Sequence, residues 1–162
     1  MTEIDIAVTG GDLPPVEQLE RMAERAMAAV SARLGIAGGH ELSLLFCDDA
    51  EIRTLNARWR ERDSATNVLS FPAADLAPGE APPPLLGDIA IACETVAREA
   101  ALEGKPFDHH LMHLMVHGIL HLLGYDHLDD DEAQVMEDLE RAVLDDLDIP
   151  DPYTVSASDV GD

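Results

Sequence analysis

A histidine-rich segment of eleven residues constrains this chain more than any other feature. It reads HGILHLLGYDH and runs from His117 to His127. His117 and His121 are four residues apart, so on a helix both imidazoles lie on one face, one turn apart. Gly124 follows, and glycine is the residue best suited to the left-handed turn that ends a helix. The segment therefore predicts a helix, a turn at Gly124 and a chain reversal that returns His127 toward the other two histidines.

This spacing predicts a metal site. Three neutral imidazoles with a fourth position open are a common way to hold catalytic zinc, so we predict one Zn²⁺ per chain on His117, His121 and His127. Nickel or another divalent ion also suits three imidazoles, so the metal's identity stays open. The spacing equals that of the HExxHxxGxxH zinc proteases, but Gly118 occupies the position of their glutamate base. The pattern therefore argues against peptide hydrolysis by the usual route.

Other polar residues near this segment have less certain roles. His109 lies roughly 120° around the helix from His121, too far to share an ion. His113 is a candidate for a contact beside the site, although packing or surface roles are favoured for His109, His110 and His113. Asp126 is equally suited to hydrogen-bonding a ligand imidazole and to stabilising the turn, and both interpretations stay open.

The periodicity of apolar residues predicts an α+β fold, with a small mixed sheet of about four strands packed with helices. A proline- and alanine-rich loop is expected over 73–86, and an arginine-rich loop after the second helix. The predicted strands are Glu3 to Val8, Glu41 to Cys47, Asn67 to Phe71 and Gly87 to Cys93. The predicted helices run from Pro15 to Leu34, from Asp48 or Asp49 through Ile52 and Leu55, from Glu94 to Glu103, from Pro106 to about Leu123, and from about Asp130 to Leu147.

Length and composition predict one globular domain over residues 1–148, followed by an acidic tail over 149–162 that we expect to be flexible. No apolar run reaches the length of a membrane span, and the N-terminus lacks a signal-peptide pattern, so we expect a cytoplasmic protein.

The chain has 2 cysteines, Cys47 and Cys93, each in a strand-like apolar run. Buried free thiols are the favoured interpretation of both.

The charge is strongly acidic and unevenly distributed. The formal net charge is −23, which at long range repels polyanions such as RNA. However, four arginines and one acid occupy the segment from Arg53 to Arg62. Because salt screens charges over about 10 Å, such a local basic patch can act despite the net charge.

Three segments together resemble the YbeY family, bacterial metal-dependent endoribonucleases involved in ribosomal RNA maturation. HGILHLLGYDH resembles the family's histidine signature. LNARWRERDSATNVLSFP, from Leu55 to Pro72, resembles its LNxxYRxxxxxTDVLSFP segment, and LLGDIAIA, from Leu85 to Ala92, resembles its LGDI strand. The segments occur in the family's order, and the resemblance covers the chain from about Asp5 to Leu147. Trp59 replaces the usual tyrosine, and Asn67 the common aspartate.

The resemblance implies a zincin-like metal-site helix, with His117, His121 and His127 as zinc ligands and Arg60 as the functional arginine. It implies a single-strand-specific, zinc-dependent endoribonuclease that acts in rRNA processing, namely 16S rRNA 3′ end maturation, and in ribosome quality control. The expected partners are single-stranded rRNA and the ribosome or a ribosomal protein, with no membrane.

The chemistry of these residues agrees with that implication. Zinc held by three imidazoles lowers the pKa of a bound water to about 7, so it activates water without a separate base. The guanidinium of Arg60 is suited to stabilising the phosphate bidentately. The attacking group, water or the RNA 2′-hydroxyl, stays open. The alternatives are a zinc peptidase-like hydrolase and a non-enzymatic ribosome-assembly factor with structural zinc.

Overall fold

The computed structural model describes residues 3–9, 14–36, 39–60, 66–126 and 129–152, with the side chains of Trp59 and Arg60 outside the description. Within these ranges the chain forms four strands and five helices. The strands are β1 (Glu3–Val8), β2 (Glu41–Cys47), β3 (Val68–Pro72) and β4 (Leu85–Ala92). The helices are α1 (Val16–Leu34), α2 (Asp49–Arg60), α3 (Cys93–Glu103), α4 (Phe107–Leu122) and α5 (Asp130–Asp146).

The four strands form one mixed sheet in the order β1-β2-β4-β3. β1 pairs with β2, and β2 with β4, in parallel, whereas β3 runs antiparallel to β4. The predicted α+β class with a small mixed sheet of about four strands is therefore confirmed. The domain boundary at 148 remains a prediction, and most of the expected tail, 153–162, lies outside the described residues.

The alternation of side chains along β4 divides the core between the two faces of the sheet. Ile89 and Ile91 join the larger cluster of buried residues, to which α1 and α4 contribute. Ala90 and Ala92 join the smaller cluster on the opposite face, together with Ile52 of α2. Since successive residues of a strand point to opposite faces, one strand supplies both cores.

Helix α4 is the central helix of the larger core. Ten of its residues are buried, which agrees with an apolar helix enclosed on several sides. Gly118 faces the sheet, and a Cβ atom there would lie 2.9 Å from Cδ1 of Ile89. The absence of a side chain therefore allows α4 to approach β4 closely and fixes which face of α4 is left for its histidines.

The prediction of an arginine-rich loop after the second helix is partly wrong. Helix α2 continues to Arg60, so Arg58 and Arg60 are helical residues. Arg and Ala are good helix formers, and the exposed side of a helix needs no apolar residues to continue. Residues 61–65 of the predicted loop lie outside the described part of the chain. Among the described residues, no helix is both long and apolar enough to cross a bilayer.

Candidate metal centre

The last two turns of α4 bring His117 and His121 together as the spacing predicts. Their Nε2 atoms are 3.1 Å apart. The two rings are nearly perpendicular, with centroids 4.6 Å apart and an interplanar angle of 83°. Each side chain keeps about a fifth of its surface exposed, 20% for His117 and 19% for His121. Both imidazoles therefore present their Nε2 atoms toward one partly accessible point.

This arrangement fits the donor geometry of zinc. Two imidazole nitrogens bound to a tetrahedral zinc, each at about 2.05 Å, are about 3.3 Å apart. The observed 3.1 Å differs from that separation by little more than the scatter of such distances. His117 and His121 are therefore suited to hold zinc without a change in the course of α4.

Helix α4 ends where the histidine motif requires it to end. Gly124 has φ +100°, a conformation that favours glycine, and its N–H donates to the carbonyl of His121. A Cβ atom at Gly124 would lie 2.4 Å from the backbone oxygen of Leu76. The turn after α4 is therefore packed directly against the connection between β3 and β4, which places that connection beside the histidines.

A buried glutamate from another helix supports the histidine pair. Glu140 of α5 has no exposed surface. Its Oε2 is 2.7 Å from Nδ1 of His117, and its Oε1 is 2.7 Å from Nε2 of His113. An ionised carboxylate only accepts hydrogen bonds, so both imidazoles donate to it. The Nδ1 of His117 therefore carries the proton, and its Nε2 keeps a lone pair for a metal.

The carboxyl group of Glu140 stays ionised in this setting. Burial alone raises its pKa, but the hydrogen bonds that His113 and His117 donate to it, together with its electrostatic attraction to these two side chains, outweigh burial and lower the pKa to about 2. A buried carboxylate is tolerated here because both of its oxygens are hydrogen-bonded. The histidine pair therefore lies beside a fixed negative charge, which favours a cation.

Sequence reasoning missed Glu140. It lies 23 residues after His117, in a helix whose remaining polar residues are typical of a solvated face. The local spacing of charges does not reveal which residue of α5 faces α4. The available signal was a glutamate near the apolar positions Met136, Val143 and Leu144 of α5, all of which are buried.

The other histidines of α4 differ in position: His110 has the packing role that the sequence favoured, whereas His113 lies beside the site, which was the less favoured alternative. His110 is buried, and its Nε2 lies 2.7 Å from Oε1 of Glu99 on α3. His113 packs edge-on beside His117, with ring centroids 6.3 Å apart, and reaches the site through Glu140. His109 lines a separate cavity with residues of α3.

Two predicted site residues are not placed by the structure. His127 lies outside the described residues, as does the side chain of Arg60, although α2 ends at Arg60. Among the side chains that the structure describes, no three metal-ligating groups surround one point. Asp126 has its Oδ1 3.9 Å from Nδ1 of His121, a distance that gives attraction but no hydrogen bond between these atoms.

A pocket adjoins His121, one of the two converging histidines. It has a volume of about 330 Å³ and includes His121 in its wall. The connection after β3 forms one side and the turn after α4 the other. The lining residues are Pro72, Ala73, Ala74, Asp75, Leu76, His121, Gly124, Tyr125 and Asp126. A ligand that binds here would contact His121 directly.

Comparison with known proteins identifies the family. The sequence model described as Endoribonuclease YbeY matches residues 8–148, which is most of the chain. The chain belongs to the Endoribonuclease YbeY family. The resemblance found in the sequence motifs is thereby confirmed.

Individual members of the YbeY family are close in sequence. The chain is 52% identical over 158 residues to the Endoribonuclease YbeY of Rhizobium meliloti (strain 1021), covering 93% of this chain and 94% of that protein. It is 53% identical over 150 residues to that of Chelativorans sp. (strain BNC1), covering 93% and 92% respectively.

The fold is also similar to a solved structure, that of TM1509 from Thermotoga maritima. The TM-score is 0.58 at 22% identity, over 95% of this chain and 99% of that one. At this identity the likeness concerns the fold alone.

Proposed function

We propose that this chain is a zinc-dependent endoribonuclease that cuts single-stranded RNA in ribosomal RNA processing and ribosome quality control. Membership of the Endoribonuclease YbeY family supports the coarse class, a hydrolase that cleaves within RNA. The observation that carries the zinc proposal is the convergence of the Nε2 atoms of His117 and His121 at 3.1 Å. We assign His127 as the third ligand because it completes the HxxxHxxGxxH spacing.

Zinc, when bound, supplies a Lewis acid and a water nucleophile at neutral pH. The chain's own residues provide the remaining conditions. Nε2 of His117 is left as an acceptor and converges with Nε2 of His121, and the pocket of about 330 Å³ beside His121 leaves that side of the pair accessible to a ligand. We assign Arg60 to the phosphate, since a guanidinium donates paired hydrogen bonds to the oxygens on which negative charge develops.

The position of Gly118 supports a nuclease over a zinc peptidase. In the HExxH peptidases the residue after the first histidine is the glutamate base. Here that position faces the sheet, where even a Cβ atom would lie 2.9 Å from Cδ1 of Ile89. A carboxylate at 118 would be directed into the apolar core and away from any substrate. Peptide hydrolysis by that mechanism is therefore disfavoured by packing as well as by sequence.

The accessible side of the histidine pair supports a catalytic metal over a structural one. Structural zinc is normally enclosed by four protein ligands, whereas catalytic zinc keeps a position open to substrate. The pocket beside His121 provides that access. The net charge of −23 further leads us to propose that a ribosomal protein or the ribosome itself presents the RNA.

Metal content and RNA cleavage, measured side by side, test the proposal. Wild type is expected to bind one zinc per chain and to cut single-stranded RNA. His117→Ala should lose both properties. Arg60→Ala should keep the zinc and lose roughly a hundredfold or more of the cleavage rate, the cost typical of removing a group that stabilises transition-state charge.

Arg58→Ala is the matched control for Arg60→Ala. It removes one cation from the same helix, so a similar loss in both variants would mean that Arg60 has no specific role. A folded His117→Ala variant that cuts RNA at the wild-type rate would overturn the metal mechanism. Zinc that is needed for folding, in a protein that leaves RNA and assembled ribosomal substrate intact, would favour the assembly-factor alternative. The chemical ends of the products identify whether water or the 2′-hydroxyl attacks.

A further inference from the structure

Glu140 is unusual among the acids that the structure describes because its side chain is enclosed and both of its oxygens are hydrogen-bonded. The chain has 33 acidic residues, and most of those described are at least partly exposed. Glu140 has a relative exposure of 0%. An enclosed carboxylate is strongly unfavourable unless it is paired and hydrogen-bonded. A leucine at this position of α5 would fill the core without that cost, so the carboxylate suggests a role beyond packing.

The two oxygens of Glu140 are divided between two histidines of α4. Oε2 accepts from Nδ1 of His117 and Oε1 from Nε2 of His113, each at 2.7 Å. His113 and His117 are four residues apart and lie one above the other on α4. One carboxylate from α5 thus spans one helical turn of α4. The two hydrogen bonds hold α4 and α5 in a fixed position relative to each other at this point.

The hydrogen bond to Nδ1 decides what His117 does with its other nitrogen. A neutral imidazole carries one proton, and the carboxylate holds that proton on Nδ1. Nε2 is therefore left as an acceptor and directed at His121, whose Nε2 is 3.1 Å away. Without the carboxylate, the proton would be free to occupy Nε2 and the ring would be free to turn.

We propose that Glu140 is a positioning residue that holds His117 in the ring orientation and tautomer needed for metal binding, and that His113 holds Glu140 from its other side. This inference rests on the proposed zinc site. It assigns the fixed geometry of that site to a residue of α5, outside the histidine motif. Carboxylates that accept from a ligating histidine raise its basicity and typically change metal affinity by 10–100-fold.

The test compares Glu140→Gln with Glu99→Gln. Glu99 lies at the same distance, 2.7 Å, from Nε2 of His110 on the same helix, but it is partly exposed and is not hydrogen-bonded to His117. The Zn²⁺ dissociation constant is measured by competition with a chromogenic chelator, and unfolding of the metal-free variants is followed by circular dichroism. We expect Glu140→Gln to weaken zinc binding by at least about tenfold and Glu99→Gln by less than about threefold.

A second measurement uses wild type alone and so does not depend on the folding of a variant. Long-range ¹H–¹⁵N correlation spectra of the metal-free protein report which imidazole nitrogen carries the proton. Nδ1–H is expected for His117, and a predominant Nε2–H form would overturn the inference. The spectroscopic signature of bound Co²⁺ should also change in Glu140→Gln and stay unchanged in Glu99→Gln.

The outcomes separate this inference from the proposed function. If wild type and Glu140→Gln bind zinc with equal affinity, the positioning role is wrong and the zinc site is retained. If both glutamine variants lose affinity equally, the effect is general destabilisation and the positioning role is again wrong. If wild type itself binds no zinc, the proposed metal site fails, and the inference fails with it.

Discussion

Cys47 and Cys93 show how burial controls side-chain chemistry in this protein. Cys47 ends β2 and Cys93 begins α3, and both are free and buried. Their sulfur atoms lie 3.7 and 3.9 Å from the same carbonyl oxygen, that of Ile91. Burial raises the pKa of Cys47 to about 12 and that of Cys93 to about 11. The prediction of two buried free thiols is confirmed for the folded chain.

Both thiols are therefore expected to be nearly inert in the native protein. Thiolate is the reactive form, and at pH 8 its population falls by at least about a hundredfold when the pKa rises from its ordinary value near 8.5 to about 11. Labelling with a chromogenic disulfide should be slow in buffer and reach two thiols per chain in concentrated guanidinium chloride. Rapid labelling of either cysteine in native protein would contradict this account.

At the scale of the elements, the turn that ends α4 depends on a glycine for two separate reasons. Gly124 has φ +100°, and a Cβ atom there would lie 2.4 Å from the oxygen of Leu76. Gly79 has φ +89°, but a Cβ atom there would have nothing within 4 Å. Both glycines therefore have a left-handed backbone, but only at Gly124 would a side chain collide with a neighbouring atom.

Replacing each glycine by alanine separates the two effects. Gly79→Ala should cost about 1 kcal/mol of unfolding free energy, from the left-handed backbone alone. Gly124→Ala should cost about 3 kcal/mol, because Leu76 and the connection after β3 must also move. Urea unfolding of both variants measures the difference. Equal costs would mean that the contact between the turn and Leu76 is unimportant.

The elements also show which parts of the site follow from sequence. The spacing of His117 and His121 predicts their meeting because both residues are on one helix, where 3.6 residues per turn fixes their relation. The bounds of β1 and β2 likewise follow from a local pattern, since side chains along a strand alternate between two faces. Glu140 did not follow, because its contact depends on how α5 packs against α4. Local periodicity specifies the buried face of each helix but not the partner of each residue on it.

At the scale of the whole molecule, the net charge of the protein and the charge of its proposed RNA substrate are both negative. The chain has 33 acidic and 10 basic side chains. Many of the acids belong to α5 and the residues after it, whereas Arg53 and Arg58 are exposed on α2. The field far from the protein is therefore negative, while an approaching phosphate meets a few arginines close to α2. Salt weakens both interactions, but weaker repulsion favours RNA binding whereas weaker attraction to the arginines disfavours it.

This opposition predicts an unusual salt dependence for cleavage of free RNA. Raising monovalent salt from about 10 to about 100 mM shortens the screening length from about 30 to about 10 Å. The long-range repulsion weakens, which offsets the loss of the short-range contacts with arginine. We expect the KM for a short single-stranded RNA to change by less than about threefold over this range, or to fall.

A tenfold rise in KM over the same range would contradict the argument, since it would indicate binding by a broad basic surface with many phosphate contacts. The control replaces Asp131 and Asp145, two exposed acids of α5, by asparagine. With less repulsion to screen, this variant should bind RNA more tightly than wild type at low salt and should lose affinity more steeply as salt rises. If the repulsion is instead removed when the ribosome or a ribosomal protein is added, and the salt dependence then resembles that of a basic protein, the partner supplies the positive surface that this chain lacks.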